Sequence, residues 1–223
     1  MLYLVPTPIG NLKDITFRAI EILKSVDRIL AEDTRVTKKL LNHYNIEKPL
    51  VSYHTHNEHK TTDNIISILS TGEDIALVSD AGTPGISDPG FLLIKACHAQ
   101  GIKVVSLPGA SASITAIAGS GLPSNRFHFE GFLPHKKGRK KRWEFLSGYP
   151  YSIIVYESPY RIIKLLTEIC EVLGEQHPVT VAREISKVYE EIEVKSCIEH
   201  LEKYKAKQKI KGEFVVVIGP KTV

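Results

Sequence analysis

Residues 79–90 read SDAGTPGISDPG and follow a short apolar run, Ile75 to Val78. The segment holds three glycines and two aspartates, Asp80 and Asp88, but no lysine or arginine. Glycine-rich loops after strands usually bind phosphate, yet the chain has no GxxxxGK[ST] motif and no GxGxxG after its first predicted strand. A neutral or cationic ligand such as a sulfonium suits this loop better, although aspartate also caps turns and helices.

Comparable segments recur wherever a predicted strand stops or is about to start. They are PTPIGN (6–11), EDTR (32–35), PGASAS (108–113), YESP (156–159), AREIS (182–186) and KGE (211–213). In open α/β sheets, ligands bind outside the carboxyl ends of the strands. We therefore expect most of these segments to share one edge, although βα loops also collect Gly, Pro and Asp for turn geometry alone.

The elements that position these loops alternate between β-rich runs and amphipathic helical stretches. The predicted strands are Leu2–Val5, Arg28–Ala31, Leu50–Tyr53, Ile75–Ser79, Lys103–Leu107, Phe127–Glu130, Ser152–Tyr156, Val179–Ala182, Tyr189–Val194 and Phe214–Ile218. Residues 14–26 are typical of a helix, with Phe17, Ile20, Leu23 and Val26 along one face. This order predicts an α/β fold with a largely parallel first half. The segment GSGLPSNRF (119–127) predicts a linker, which gives domains of residues 1–120 and 121–223.

Composition restricts the class of protein further. The chain has 223 residues, 43% hydrophobic residues and a net charge of +4, which is typical of a globular protein. No apolar run approaches the roughly 18 residues of a membrane span, and the first residues do not resemble a signal peptide. The three cysteines show no CxxC spacing, which predicts reduced thiols, no disulfide framework and no zinc site, and hence a cytoplasmic location.

The segment YHTHNEH (53–59) resembles the HxHxDH pattern of metallo-hydrolases, with Glu58 in place of aspartate. That interpretation needs further ligands downstream in a different fold. Polar contacts in an active site and structural hydrogen bonds are the alternatives, and we expect no metal.

The quoted segments, together with SYHTHNE, GFLPHKKGRK and KGEFVVVIG, occur in the order of one family. The chain resembles the bacterial ribosomal RNA small subunit methyltransferase I family, (cytidine-2′-O)-methyltransferases of the tetrapyrrole-methylase superfamily, over essentially its whole length. The resemblance implies a two-lobed α/β fold of the class III methyltransferases, with S-adenosylmethionine in a cleft between the lobes. It also implies a homodimer that methylates a cytidine ribose of 16S rRNA, with the 30S subunit as the expected substrate.

The resemblance implies that loop residues from both halves hold the cofactor. Carried over position by position, they are Ile9, Asp80, Gly82, Thr83, Ser111, Ala112, Tyr156, Ala182, Arg183, Gly212 and Glu213. A loop that faces a nucleoside and a sulfonium has no need of lysines.

The segment HKKGRKKRW (135–143) has the charge pattern of an RNA-binding loop, because neutralised phosphates supply non-specific affinity. The predicted RNA contacts are Lys136, Lys137, Arg139, Lys140, Lys141 and Arg142. Alternate lysines between 203 and 211 form a second basic stretch, for which RNA binding and a solvated surface stay equally open.

The expected reaction requires a group that accepts the proton of the ribose hydroxyl. Asp33, Glu184 and Glu213 are candidates, and Lys211 qualifies only if burial lowers its pKa. Arg35 could hold a phosphate or a base edge. For each of these residues a helix cap or an ion pair is the alternative role.

Three alternative functions fit the sequence less well. A methyltransferase for a tetrapyrrole or another small molecule would share the cofactor loops but has no use for the basic segment. A non-enzymatic RNA-binding protein would explain the basic segment but not the shared loops. A nucleotide hydrolase would need a P-loop, which this sequence lacks.

Overall fold

The structure, a computed structural model, describes residues 1–221. The chain divides into two compact units, Met1–Ser111 and the part that begins at Ala112. The division lies before the predicted boundary at residue 120, so that the helix Ala112–Gly119 belongs to the second unit. Residues 222 and 223 of the predicted second domain lie outside the described residues.

The first unit is a parallel sheet with helices between its strands. The strands are β1 (Leu2–Leu4), β2 (Arg28–Ala31), β3 (Leu50–Ser52), β4 (Ile75–Val78) and β5 (Val104–Ser106), in the order β3-β2-β4-β1-β5. The helices are α1 (Phe17–Ser25), α2 (Thr34–His43), α3 (Glu58–Ser70) and α4 (Phe91–Ala99). Parallel pairing requires helical crossovers, which cover the faces of the sheet and explain why its strands are mostly apolar, with Arg28, Ser52 and Ser106 at strand ends.

Two apolar clusters lie on opposite faces of this sheet. Ala76 and Val78 belong to one cluster, and their neighbours Ile75 and Leu77 belong to the other. α1 buries Leu23 as predicted, but Phe17 is 88% exposed because it stands in the first turn of the helix. Because an apolar cluster covers each face, polar chemistry is concentrated at the strand ends.

The second unit contains a mixed sheet. Its strands are β6 (Phe127–Phe132), β7 (Ser152–Glu157), β8 (Pro178–Arg183), β9 (Glu191–Ser196) and β10 (Phe214–Ile218), in the order β6-β7-β10-β8-β9. Its helices are α5 (Ala112–Gly119), α6 (Arg139–Leu146), α7 (Ile162–Leu173) and α8 (Cys197–Lys205). β6 and β7 are parallel, whereas β10 is antiparallel to both β7 and β8.

The predicted α/β class and the parallel first half are confirmed. Each of the ten predicted strands is present, with ends that differ from the prediction by at most two residues. None of the helices within residues 1–221 is long and apolar enough to cross a membrane.

The cysteines require a correction. Cys170 on α7 and Cys197 at the start of α8 form a disulfide, with their Cα atoms 5.7 Å apart, whereas the sequence predicted reduced thiols. Cysteines that are 27 positions apart in sequence carry no spacing signal, and only the packing of α7 against α8 brings them together. Cys97 is a free, buried cysteine.

We expect one reactive thiol per chain in denaturant without reductant, from Cys97, and three after reduction. Reduction should lower the free energy of unfolding by about 3 kcal/mol, because a cross-link of this span restricts the unfolded chain. Thiol titration and urea unfolding measure the two effects. Cys170→Ser is the control, since its stability should no longer respond to reductant; three thiols before reduction would contradict the pairing.

Candidate functional site

The loops after β1, β4 and β5 meet at one edge of the first sheet. The backbones of Thr7 and Gly82 exchange two hydrogen bonds of 2.9 Å. A Cβ atom at Gly82 would lie 3.5 Å from Cγ2 of Ile9, so these two predicted cofactor residues are neighbours. The Thr83 hydroxyl donates to the carbonyl of Ala110 over 3.1 Å, next to Ser111. The structure thus brings together the predicted cofactor residues of the first unit.

The loop after β2 joins the same edge through Asp80. Its Oδ1 accepts a hydrogen bond of 3.0 Å from the backbone N–H of Asp33. Asp33 also caps α2 by accepting from the Arg35 backbone N–H, and it forms an ion pair with the Arg35 guanidinium over 2.6 Å. These hydrogen bonds from Arg35 hold the pKa of Asp33 well below its usual range. Asp33 is therefore a weak proton acceptor, and its observed role is that of a cap and an ion-pair partner.

Three other carboxylates of this edge have raised pKa values. Burial, followed by the charges of Glu32 and Asp80, raises the pKa of Asp88 to about 6. Burial, followed by the Asp80 charge, also raises the pKa of Glu32. We call Glu32, Asp80 and Asp88 the acidic edge. Repulsion among partly buried like charges is relieved by a bound cation.

Glu32 belongs to this group although its sequence context did not predict it. The segment EDTR predicts functional roles for Asp33 and Arg35 but not for Glu32. The available signal was its position directly after β2, at the same edge as Asp80.

In the second unit the predicted cofactor residues also converge at one end of the sheet. Val215 in β10 pairs with Tyr156 on one side and with Ala182 on the other. The Tyr156 hydroxyl accepts a hydrogen bond of 3.1 Å from the Ser113 backbone N–H, next to Ala112. The side chain of Ala182 is buried within the sheet.

The segment KGE is fixed to the end of β8. The Arg183 guanidinium donates to the carbonyl of Lys211 over 2.7 Å. The Glu184 N–H donates to the Glu213 carbonyl, and the Glu213 N–H donates to Oε1 of Glu184, both over 3.0 Å. Gly212 has φ +102°, and a Cβ atom there would lie 2.7 Å from Cγ of Glu184. Only glycine fits this contact without displacing Glu184.

These contacts weaken the predicted roles in proton transfer. Burial alone would raise the pKa of Glu184, but hydrogen bonds from Lys187 and the Glu213 N–H outweigh burial and lower it. Lys211 is exposed, so the burial that its role as a base required is absent. Arg35 is paired with Asp33 but keeps a side chain that is 86% exposed, which leaves its guanidinium accessible.

The basic segment contains two kinds of cation. Arg139 is 4% exposed, and its guanidinium binds both carboxylate oxygens of Glu168 and the Pro134 carbonyl over 2.6–2.9 Å. The Trp143 indole donates to the same Glu168 over 3.1 Å. This is a correction to the predicted RNA contacts, because a buried and paired guanidinium cannot reach a phosphate.

The Arg142 side chain also has partners within the protein. It forms an ion pair with Glu130, and its guanidinium lies 4.6 Å above the ring of Phe145. Lys136, Lys137, Lys140 and Lys141 are exposed. We call these four residues the lysine cluster. In the second basic stretch, Lys203 forms ion pairs with Glu191 and Glu193.

The histidine-rich segment is a hydrogen-bonded turn before α3. The Asn57 side chain accepts from the His54 N–H over 2.8 Å and donates to the Ser52 carbonyl over 3.0 Å. Nδ1 of His54 accepts from the His56 N–H over 3.2 Å. Within residues 1–221 no three His, Cys, Asp or Glu side chains are grouped as metal ligands.

Comparison with known proteins gives the family. The family described as "Tetrapyrrole (Corrin/Porphyrin) Methylases" matches residues 1–201. The "Ribosomal RNA small subunit methyltransferase I" of Escherichia coli O157:H7 is 48% identical over 219 residues, which cover 97% of this chain and 77% of that protein. The chain belongs to this family of tetrapyrrole methylases. A protein of the same name from Bacillus subtilis strain 168 is 49% identical, over 98% of this chain and 74% of that protein.

The fold of this tetrapyrrole methylase also occurs in solved structures of much lower sequence identity. A crystal structure of diphthine synthase has a TM-score of 0.75 at 12% sequence identity, and covers 98% of this chain and 89% of that chain. At this identity the similarity shows the fold alone. The predicted class III methyltransferase fold is confirmed.

Gly212→Ala should destabilise the protein more than Gly72→Ala. Both glycines have similar φ, +102° and +98°, but a Cβ atom at Gly72 meets nothing within 4 Å. The control substitution should cost about 1–2 kcal/mol for its backbone conformation. Gly212→Ala should lose about 1–3 kcal/mol more, because it displaces Glu184. Urea unfolding measures both variants, and equal losses would show that the contact with Glu184 is unimportant.

Asp88→Asn should change how stability depends on pH. In the wild type the pKa of Asp88 is raised from 3.8 to about 6, so between these values the folded state retains a proton that the unfolded state has lost. The free energy of unfolding therefore falls as pH rises through this window. The variant should melt higher than the wild type above pH 6 and equally near pH 4. Asp63→Asn, at an exposed position of α3, is the control. A difference that is independent of pH would contradict the assignment.

Proposed function

We propose that this protein transfers a methyl group from S-adenosylmethionine to the ribose 2′-oxygen of a cytidine in 16S ribosomal RNA. The observation that carries this proposal is the 48–49% identity, over nearly the whole chain, to proteins named for methylation of small-subunit ribosomal RNA. The exposed lysine cluster supports an RNA substrate independently of those names.

The acidic edge fits the cofactor. S-adenosylmethionine carries a sulfonium and an ammonium. Cations of this kind offset the burial and the carboxylate repulsion that raise the pKa values of Glu32 and Asp88. When bound, it supplies a methyl group that is activated towards an oxygen nucleophile. The residues proposed to hold it are Ile9, Asp80, Gly82, Thr83 and Ser111 of the first unit, and Ala112, Tyr156, Ala182, Arg183, Gly212 and Glu213 of the second.

The observed contacts favour positioning over proton abstraction for the four proposed catalytic residues. Asp33 and Glu184 already accept hydrogen bonds that lower their pKa values, which makes them weak bases. Arg35 offers an exposed guanidinium for a phosphate or a base edge. Lys211, held next to Arg183 through its carbonyl, offers an exposed cation to the RNA backbone. Alignment and the exclusion of water are then the main contributions of these side chains.

The lysine cluster is proposed to bind the RNA backbone, with Arg142 at its border. The 30S subunit is the proposed form of the substrate, and a homodimer is the proposed assembly. A ribosomal substrate implies the cytoplasm as the location.

The test is mass-spectrometric nucleoside analysis after incubation with methyl-labelled S-adenosylmethionine. 30S particles, naked 16S rRNA and a tetrapyrrole precursor serve as parallel substrates. We expect labelled 2′-O-methylcytidine from 30S particles. Label in another nucleoside would reject the substrate assignment, and label only in the tetrapyrrole would favour a small-molecule methyltransferase.

Charge reversal tests whether the lysine cluster has a specific role in RNA binding or contributes only through the overall charge of the protein. Changing its four lysines to glutamate should lower kcat/KM for 30S particles by about 100-fold or more, because phosphate contacts are lost and repulsion is added. The control reverses four exposed lysines of the first unit, Lys24, Lys39, Lys60 and Lys103. It should stay within about threefold of the wild type, and equal losses in both variants would reject a specific role for the cluster.

A further inference from the structure

β6 is an edge strand of the second sheet, and a β-bulge changes its register. Phe129 pairs with Ile154 and Phe132 pairs with Tyr156, with the shift between Phe129 and Gly131. Ile154 and Tyr156 are two positions apart and share a face. Their partners Phe129 and Phe132 therefore share that face as well. In a regular strand, residues three positions apart would point to opposite faces. Gly131 has φ +69°, a conformation that favours glycine.

The bulge thereby assembles three aromatic rings. The Tyr156 ring lies between the other two, with centroids 5.1 Å from Phe129 and 5.6 Å from Phe132. Phe132 stands at the outer end of this row and is 56% exposed. An edge-to-face partner keeps its ring oriented and leaves much of its surface accessible.

The same bulge fixes the basic segment. Glu130, the extra residue, has a side chain that is 7% exposed, and it pairs with Arg142 and with His128. Burial alone would raise the pKa of Glu130, but hydrogen bonds from Arg142 and His128 lower it, so the carboxylate stays charged.

The chain from Phe132 to the lysine cluster is held at both ends. Leu133 is 1% exposed and Arg139 is 4% exposed, with the Arg139 guanidinium bound to the Pro134 carbonyl. Lys136 follows Phe132 by four residues, at most about 14 Å along an extended chain. An exposed ring and exposed lysines are thus presented together by one anchored segment.

We infer that Phe132 is a stacking platform for a base of single-stranded RNA, which the lysine cluster holds by its phosphates. This inference rests on the proposed function and deepens it. Exposed aromatics beside basic residues are how proteins bind unpaired bases. The lysine-rich surroundings disfavour the other occupant, a second protein surface, because lysine is depleted at protein–protein interfaces.

The test measures binding of naked 16S rRNA at several salt concentrations. Phe132→Ala should weaken binding by about 10-fold, the loss expected for one stacked base, without changing the salt dependence. Lys136→Ala should also weaken binding, but it should reduce the salt slope by about 1. Phe132→Trp should bind within about twofold of the wild type, and RNA should quench its added indole fluorescence. Phe17→Ala, an exposed phenylalanine of the first unit, should bind as the wild type does.

Two further measurements separate the alternatives. Phe132→Ala should raise KM for 30S particles and leave the molar mass by light scattering unchanged. Unaltered RNA binding by Phe132→Ala would overturn the inference, and so would a changed molar mass, which would make this surface a protein interface. If the wild type binds RNA but makes no 2′-O-methylcytidine, the proposed function fails while the Phe132 comparison still decides the question of stacking.

Discussion

β4 lies at the centre of the first sheet and exposes at most 1% of any of its four residues. Neighbouring strands cover its edges, and an apolar cluster covers each face. Such a strand has no surface on which to display a functional group, so the first place for polar chemistry is the loop that follows Val78. Asp80 and Asp88 of the acidic edge lie in this loop, and Glu32 joins them from the loop after β2.

In the second unit, carboxylates bind the arginines of the basic segment and so hold it in place. One of these carboxylates lies far away in sequence, and the other lies at the bulge of β6. Arg139 is paired with Glu168 across 29 positions, and Arg142 is paired with the bulge residue Glu130. A buried charge is tolerated only when it is paired and hydrogen-bonded. These arginines therefore fix the backbone, and the lysines between them face solvent.

The sequence was sufficient for the strands because their apolar runs and the turn residues around them are local signals. It also grouped the strand-end segments, since parallel strands present their carboxyl ends at one edge. Roles that depend on distant partners could not be predicted in this way. Arg139 and Lys137 have the same appearance in a basic run, and only tertiary packing shows that one is buried. The pairing of Cys170 with Cys197 and the low proton affinity of Glu184 also depend on contacts that only the folded chain brings together.

The position of β10 constrains the order in which the chain can fold. β10 is inserted between β7 and β8 and bonds to both, yet it comes after both of them in sequence. During synthesis, the first unit has all five of its strands once residue 106 has left the ribosome, whereas the second sheet lacks its middle until residue 218 emerges. At about 5–20 residues per second, the edges of β7 and β8 remain unpaired for several seconds. During that interval the unpaired edges of β7 and β8 favour misassembly.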